Sequence, residues 1–265
     1  MALVCLVVRQ PSRSTQGGSS AASDVDNRQL LGAGKGLENG ITASFGGSAN
    51  TVYLWRSNVT QLPYKGFPRG RWVSWRMDVI ERLKERIPEA DVVVSINEVG
   101  GWASAQYVVR GNKSDAYITR GSYPKIAHLE GYKTIMWRFV NQIDLDERRK
   151  IAVIGSRVYE HLYEPNENPI GDLIQIGGIS FLVVGVFKPE TVGGSSNRNA
   201  EMVLIPNTTL QYSFNQVGGV GSIRMAPKPG VTSTFIEEKA YKVLREYSHI
   251  HPDDNGVIGS FNTQK

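Results

Sequence analysis

The sequence predicts an α+β fold, in which two β-α-β units at opposite ends of the chain form a ferredoxin-like sheet around an inserted second α+β subdomain. Three observations predict this fold. A β-α-β pattern occupies residues 51–99, a second occupies residues 216–265, and a β-α-β-β pattern occupies residues 149–187. Because the two outer units can pair into one four-stranded antiparallel sheet, we expect residues 100–215 to form the inserted subdomain.

The first β-α-β unit begins with a β-rich run at residues 51–55 and ends with a strand at residues 91–96. Ser74 is a candidate N-cap for the helix between these strands, and Pro88 ends that helix. Apolar residues three to four positions apart share one helix face: Met77, Ile80, Leu83 and Ile87. This spacing predicts a helix that packs against a sheet.

The last β-α-β unit has the same organisation. A strand at residues 222–225 is followed by a helix at about 232–247 and by a closing strand at residues 257–261. Apolar residues at helical spacing predict the buried face of this helix: Ile236, Ala240, Val243, Leu244 and Tyr247. We therefore expect this unit to form the second half of the split sheet.

The centre of the chain reads as a strand, a helix and a hairpin. An apolar strand at residues 151–154 precedes a short helix that Ser156 can cap. Strands at residues 173–176 and 179–186 are separated by Gly177-Gly178, which can adopt the positive φ angles of a tight hairpin turn. This segment contains no recognisable catalytic constellation, so it indicates a scaffold rather than an enzyme.

The rest of the predicted insertion has weaker signals. Strands are predicted at residues 106–110, 115–119 and 201–205, with a short helix at residues 123–129. Glycine and serine dominate residues 193–197, which we expect to form a mobile loop.

The N-terminal part of the chain does not follow either pattern. Residues 1–29 combine a short apolar run with a polar, aperiodic stretch, which predicts an unstructured or non-native leader. The apolar run at residues 1–8 falls short of the roughly 18–20 residues that span a bilayer. Residues 30–50 are glycine-rich and are predicted to be helical.

Composition excludes some functional classes. The 30 basic and 25 acidic residues are spread along the chain and give a net charge of only +5, so nucleic acid is not an expected partner. The single cysteine, Cys5, cannot form an intrachain disulfide.

Candidate chemistry is sparse. His249 and His251, followed by Asp253 and Asp254, are the best candidate metal ligands, but a helix end followed by a turn explains the same residues. No Gly-x-Ser-x-Gly motif is present. The sequence therefore predicts no catalytic, cofactor-binding or metal-binding residue, and hence no enzyme.

Four tryptophans form the candidate interaction surface: Trp72, Trp75, Trp102 and Trp137. Aromatic and arginine side chains are enriched at protein interfaces, and Arg71 and Arg76 flank the first two tryptophans. The alternative is that these amphipathic rings pack where the subdomains meet.

Several motifs follow one another in a distinctive order: Gly32-Ala33-Gly34 with Phe45-Gly46-Gly47, Ile154-Gly155-Ser156, Pro169-Ile170-Gly171, Gly177-Gly178, and Val203-Leu204-Ile205-Pro206. Their order and spacing resemble the periplasmic core domain of MacB-like ABC transporter permeases over about residues 30–265. The resemblance implies a porter-like ferredoxin subdomain with an inserted second subdomain. It also implies that residues 30–50 follow a first transmembrane helix that we expect this chain to lack.

The function implied by the resemblance is mechanical. In that family, a non-catalytic extracytoplasmic domain on the periplasmic side of the inner membrane couples ATP-driven helix motion to an adaptor protein and an outer-membrane duct, or to cargo. The implied partners are a cytoplasmic ATPase subunit, the periplasmic adaptor, the duct and a second copy of the permease, and no cofactor is implied. The alternative function is a free-standing ligand- or peptide-binding module of the envelope, with Trp102, Trp137 and the loop at residues 193–199 around a pocket.

Overall fold

The computed structural model describes residues 50–101, 103–190 and 195–264. The predicted leader at residues 1–29, all but the last residue of the segment at 30–50, and Trp102 lie outside the described residues. No helix among the residues that are described is both long and apolar enough to cross a membrane.

Eleven strands and seven helices make up the described part of the chain. Their order is β1 (Val52–Arg56), α1 (Met77–Arg86), β2 (Ala90–Ile96), β3 (Ala105–Arg110), β4 (Lys113–Ser122), α2 (Ile126–Leu129), β5 (Tyr132–Trp137), α3 (Gln142–Asp146), β6 (Ile151–Gly155), α4 (Ser156–Leu162), β7 (Leu173–Ile176), β8 (Ile179–Pro189), α5 (Ser195–Ala200), β9 (Met202–Pro206), α6 (Asn207–Ser213), β10 (Ser222–Pro227), α7 (Ser233–Tyr247) and β11 (Ile258–Asn262).

The first sheet joins the two ends of the described chain. Its strand order is β11-β1-β10-β2, and every neighbouring pair is antiparallel. Val52 in β1 pairs with Asn262 on one side and with Met225 on the other. This is the strand order of a ferredoxin-like split β-α-β sheet, so the predicted α+β fold class is confirmed.

Alternation along β1 explains how this sheet is covered. Val52 and Leu54 point to one face and pack with Ile80 and Leu83 of α1 and with Leu244 of α7 in one buried apolar cluster. Tyr53 and Trp55 point to the opposite face, away from the helices. The sheet therefore has one face covered by two helices and a second face available for the rest of the chain.

The second sheet is built from the middle of the chain and closes on itself. Its strand order is β5-β8-β6-β9-β4-β3-β7, and β7 also pairs with β8. Strand β8 makes both contacts because it is long: Ile179–Leu182 pairs with β7, and Gly185–Pro189 pairs with β5. The predicted hairpin is confirmed, since Ile176 pairs with Ile179 and both intervening glycines have positive φ angles of 55° and 82°.

Several local predictions are wrong. Ser195–Ala200 is a helix rather than part of a loop, and β5 and α3 were not predicted. Ser74 is not a helix cap, because the chain stays extended as far as Arg76 and the helix starts at Met77. Backbone pairing holds this extended segment in place: the Val220 amide donates to the Trp75 carbonyl at 3.0 Å, and the Met77 amide donates to the Gly218 carbonyl at 3.0 Å.

The two sheets share an apolar core. Val92, Ile96 and Ala226, on the helix-free face of the first sheet, are buried together with residues of the second sheet and its helices. These partners include Ile126, Tyr132, Val184, Phe187 and Leu204. Because this core belongs to both sheets, the predicted subdomain boundaries at residues 99–100 and 215–216 stay a prediction.

Candidate functional site

The chain passes twice between the sheets. It leaves the first sheet after Ile96 at the end of β2 and returns to it before Ser222 at the start of β10. We call the region around these crossings, together with the shared apolar core, the joint. Two groups of polar side chains, most of them buried, lie in the joint, and they differ in charge.

The charge cluster consists of Glu98, Arg120, Glu130 and Arg224, all of them buried. Arg120 donates from Nε to Glu98 Oε1 at 3.1 Å and from Nη1 to Glu130 Oε2 at 2.9 Å. Arg224 donates from Nε to Glu130 Oε1 at 3.4 Å, and the Tyr132 hydroxyl donates to Glu130 Oε2 at 2.6 Å. Since Arg224 lies in β10 and Arg120 in β4, Glu130 bridges the two sheets.

Burial and the neighbouring charges shift the pKa values of these groups in opposite directions. Burial alone would raise the pKa of Glu130, but Arg120, Arg224 and the Tyr132 hydroxyl together hold this pKa below its ordinary value. Burial alone would lower the pKa of Arg120, but Glu130, Tyr132 and Glu98 together outweigh burial and raise this pKa above its ordinary value. Burial lowers the pKa of Arg224. The four residues carry two positive and two negative charges, so the cluster is neutral as a whole.

The amide cluster consists of Asn97, Asn207, Gln211 and Gln216. Asn207 Oδ1 accepts from the Asn97 amide at 3.2 Å, and Asn207 Nδ2 donates to Ser95 Oγ at 3.3 Å and to the Tyr123 hydroxyl at 3.0 Å. Asn97 Nδ2 donates to Gln216 Oε1 at 3.0 Å, and Gln216 Nε2 donates to the Glu98 carbonyl at 2.9 Å. Hydrogen bonds between neutral groups therefore tie the outgoing crossing to the returning one.

The two clusters and the shared core fix the sheets against each other. A displacement of one sheet would separate buried charges and expose apolar surface, and both changes are costly. The joint therefore resists displacement of one sheet relative to the other.

The structure separates the predicted tryptophans. Trp75 is only 1% exposed and donates from Nε1 to Ser248 Oγ at 3.2 Å, so the prediction that it belongs to an exposed surface is wrong. Trp72 is 65% exposed in the segment before α1, and Trp137 is 77% exposed at the end of β5. Trp72 therefore lies in a loop and Trp137 in the second sheet, and Trp102 lies outside the described residues.

The histidine segment has a structural role. The His249 ring stacks on Phe67 with centroids 5.0 Å apart, and the His251 ring meets Tyr64 edge-on at 5.3 Å. Asp254 Oδ2 accepts from the Gln61 amide at 2.7 Å. These contacts hold the loop between β1 and α1. Across the described ranges, no three His, Cys, Asp or Glu side chains come together as a potential metal site.

A cleft of about 870 Å³ opens next to the joint, where β1 and β2 end and β10 begins. We call it the Trp55 cleft, after the indole in its wall; Arg56, Trp75, Arg76, Asn97 and Gln216 also line it. Sequence reasoning did not single out Trp55 or Arg56, because it placed Trp55 at the end of a predicted strand at residues 51–55 and assigned no role to Arg56. A second cleft, of about 650 Å³, lies along β2 and is lined by Lys84, Tyr123 and Lys228, among others.

Comparison with known proteins identifies relatives of this chain and solved structures with a similar fold. The sequence profile of the MacB-like periplasmic core domain family matches residues 30–240. The chain is similar to the macrolide export ATP-binding/permease protein MacB of Shewanella sp. (strain W3-18-1), with 31% identity over 51% of the chain and 21% of that relative. It is 24% identical to the pyoverdine export ATP-binding/permease protein PvdT of Pseudomonas syringae pv. syringae (strain B728a), over 83% of the chain and 32% of that relative. The chain thus spans less than a third of the length of either relative.

Solved structures with the same fold are similar at lower identity. The periplasmic region of MacB from Actinobacillus actinomycetemcomitans matches with a TM-score of 0.64 and 18% identity, over 82% of this chain and 90% of that one. The extracellular domain of the ABC-type transporter YknZ from Gram-positive bacteria matches with a TM-score of 0.62 and 14% identity, over 80% of this chain and 100% of that one.

Proposed function

This chain belongs to the family of MacB-like periplasmic core domains, and we propose that it acts as a non-catalytic coupling domain of an ABC-type export permease. In this proposal, ATP hydrolysis by a cytoplasmic subunit moves the membrane-spanning part of the permease. The domain then passes the displacement to a periplasmic adaptor protein and an outer-membrane duct, or to cargo. The proposal places the domain on the periplasmic side of the inner membrane, in a permease that works as a homodimer.

The observation that carries this proposal is the joint. A coupling element must transmit displacement without deforming, and here the charge cluster and the shared apolar core resist separation of the sheets. The buried ionisable groups of the joint are bonded to one another. They are therefore engaged in holding the structure rather than free to exchange protons with a substrate.

The proposal also assigns the adaptor contact to exposed aromatic side chains. Of the predicted interaction residues that the structure describes, Trp72 and Trp137 are exposed. Trp137 has a φ angle of 52°, a left-handed conformation that is unusual for a bulky side chain and that commonly marks functional positions. These features support Trp137 as a contact residue.

A chimeric transporter tests the coupling role. Residues 30–265 would replace the corresponding segment of the Shewanella MacB, and macrolide export and ATP hydrolysis would be measured in the same cells. We expect Glu130→Gln in the chimera to reduce export more than ATP hydrolysis, because the joint loses its central negative charge. The matched control, Glu164→Gln, removes a carboxylate from an exposed ion pair with Lys113 and should leave export unchanged.

Transporter abundance is measured by immunoblot so that degradation is not mistaken for uncoupling. Equal export by the Glu130→Gln and Glu164→Gln chimeras at equal abundance would contradict the coupling role. The second function predicted from sequence, a free-standing binding module, placed Trp137 in a pocket wall. Trp137 lines neither of the two clefts described above, so this observation does not favour that function.

A further inference from the structure

The Trp55 cleft has walls that are fixed before any ligand arrives. The extended segment at Trp75–Met77 is bonded to residues 218–220 through the backbone, as described above. The Trp55 indole lies against Gly259, where a Cβ would collide with the ring. The cleft volume of about 870 Å³ falls within the range of about 300–1,000 Å³ that is typical of small-molecule sites.

The lining of the cleft contains unpaired positive charge, beside the neutral side chains of Ser57, Ser74 and Asn215. Among the described residues, the guanidinium groups of Arg56 and Arg76 and the indole N–H of Trp55 have no hydrogen-bond or ion-pair partner. Arg56 is half buried, and burial lowers its pKa, so its charge lacks the stabilisation that an anion would supply. The carboxylate in the wall, Glu98, is already bonded to Arg120 and to the Ala103 amide.

We propose that the Trp55 cleft binds a small organic carboxylate that carries an aromatic or apolar group. The carboxylate would accept hydrogen bonds from Arg56 and Arg76, because a guanidinium fork matches the two carboxylate oxygens. The apolar group would pack on Trp55 and on the buried wall formed by Trp75 and Ile96. This binding role goes beyond the proposed coupling function and does not depend on it.

The test uses the full 265-residue chain and two probes that differ only in charge, N-acetyl-phenylalanine and its neutral amide. Binding is followed by NMR through the indole N–H signal of Trp55, which is assigned with Trp55→Phe. We expect N-acetyl-phenylalanine to shift this signal in a saturable manner that weakens as salt is added, and the amide to bind at least about tenfold more weakly.

Arginine variants show whether the two guanidinium groups receive the carboxylate. Arg56→Gln and Arg76→Gln should each weaken binding about tenfold, the size of one charge-assisted hydrogen bond. Arg69→Gln removes the same charge from an exposed position outside the cleft lining and should bind like the unaltered chain. Arg56→Lys keeps the charge but not the fork, so it replaces Arg56→Gln if the latter does not fold.

Two results would overturn the proposal. One is that N-acetyl-phenylalanine and its amide bind equally tightly, or that neither probe binds. The other is binding by folded Arg56 and Arg76 variants that is as tight as in the Arg69→Gln control. Either result would leave the coupling function untouched, because that function is measured by export and not by binding at this cleft.

Discussion

The charge cluster and the amide cluster lie at the same joint but hold it through different interactions. The charge cluster uses four full charges that are buried together, so each charge depends on its opposite partners. The amide cluster uses neutral groups, most of them buried, each with several bonds of ordinary strength. Removal of a charge leaves another charge unpaired, whereas removal of an amide leaves a few dipoles unpaired.

The two clusters therefore contribute differently to the joint. A buried charge network adds little net stability compared with a well-packed apolar core, but it penalises every arrangement in which its members separate. We therefore infer that the charge cluster selects one relative position of the sheets. The amide cluster holds the two crossings together. We expect each hydrogen bond lost from it to lower the free energy of unfolding by a small amount.

The largest expected effect comes from Glu130→Gln. This change removes the negative charge that Arg120 and Arg224 share, so Arg224 loses the only carboxylate to which it is bonded among the described residues. We expect the free energy of unfolding to fall by about 3–5 kcal/mol, as measured by urea denaturation.

The same substitution at Glu164 is the matched control, since its pair with Lys113 is exposed and should contribute at most about 1 kcal/mol. A double variant, Glu130→Gln with Arg224→Met, removes the unpaired charge and should recover part of the loss. If Glu130→Gln is no more destabilising than Glu164→Gln, the two clusters do not differ as argued.

The next effect in size is that of Asn207→Ala in the amide cluster. Asn207 is buried and bonds to the Asn97 amide, Ser95 and the Tyr123 hydroxyl. Its loss leaves these neutral groups without a partner, and we expect about 1–3 kcal/mol less stability. Thr208→Ala, one residue further along the same helix, removes a single hydrogen bond to the Leu145 carbonyl and serves as the neighbouring control. A loss as large as that of Glu130→Gln would contradict the comparison.

The sequence predicts elements that have a local pattern of apolar residues, and it does not predict contacts between distant residues. The strands of the split sheet were predicted to within two residues, because their apolar residues alternate and their helices have clear apolar faces. Arg224 was placed in the correct strand, but an arginine in a strand normally faces solvent. Its burial depends on Glu130, which lies 94 positions away in sequence, and no local pattern contains that information.

Trp75 was misplaced for a different reason. The segment at residues 72–76 alternates between exposed and buried side chains, with Val73 and Trp75 inside and Trp72, Ser74 and Arg76 outside. This is the period of an extended chain. Sequence analysis treated Ser74 as a helix cap instead, and it grouped Trp72 and Trp75 on one surface because Arg71 and Arg76 flank them. The alternation can be seen in the sequence and could have predicted an extended segment. The backbone pairing with residues 218–220, which holds the segment extended, can be seen only in the structure.

Acid titration should separate the two clusters further. The folded pKa of Glu130 lies below its unfolded value of about 4.3, so its contribution is complete above that pH and is lost as the pH falls through the folded pKa. Each pKa unit of difference corresponds to about 1.4 kcal/mol. We expect Glu130→Gln to flatten the fall in stability below about pH 4.3, and Asn207→Ala to leave its slope unchanged, because the amide cluster contains no carboxylate. The slope does not vanish in Glu130→Gln, because the pKa of Asp144 is also lowered. Parallel pH profiles for both variants would contradict the assignment.

The smallest expected effect is that of Gln216→Ala, which tests whether the amide cluster weakens in steps. Gln216 is only partly buried, and it joins the crossings through Asn97 Nδ2 and the Glu98 carbonyl. Water can replace these bonds at a partly exposed site, so we expect a loss of about 0.5–1.5 kcal/mol. Hydrogen exchange should accelerate at residues 97–101 and 216–221 but not in β4 or β5, because the charge cluster still holds the sheets together. Faster exchange in β4 and β5 as well would show that the two clusters fail as one unit, and that the amide cluster shares the role assigned here to the charges.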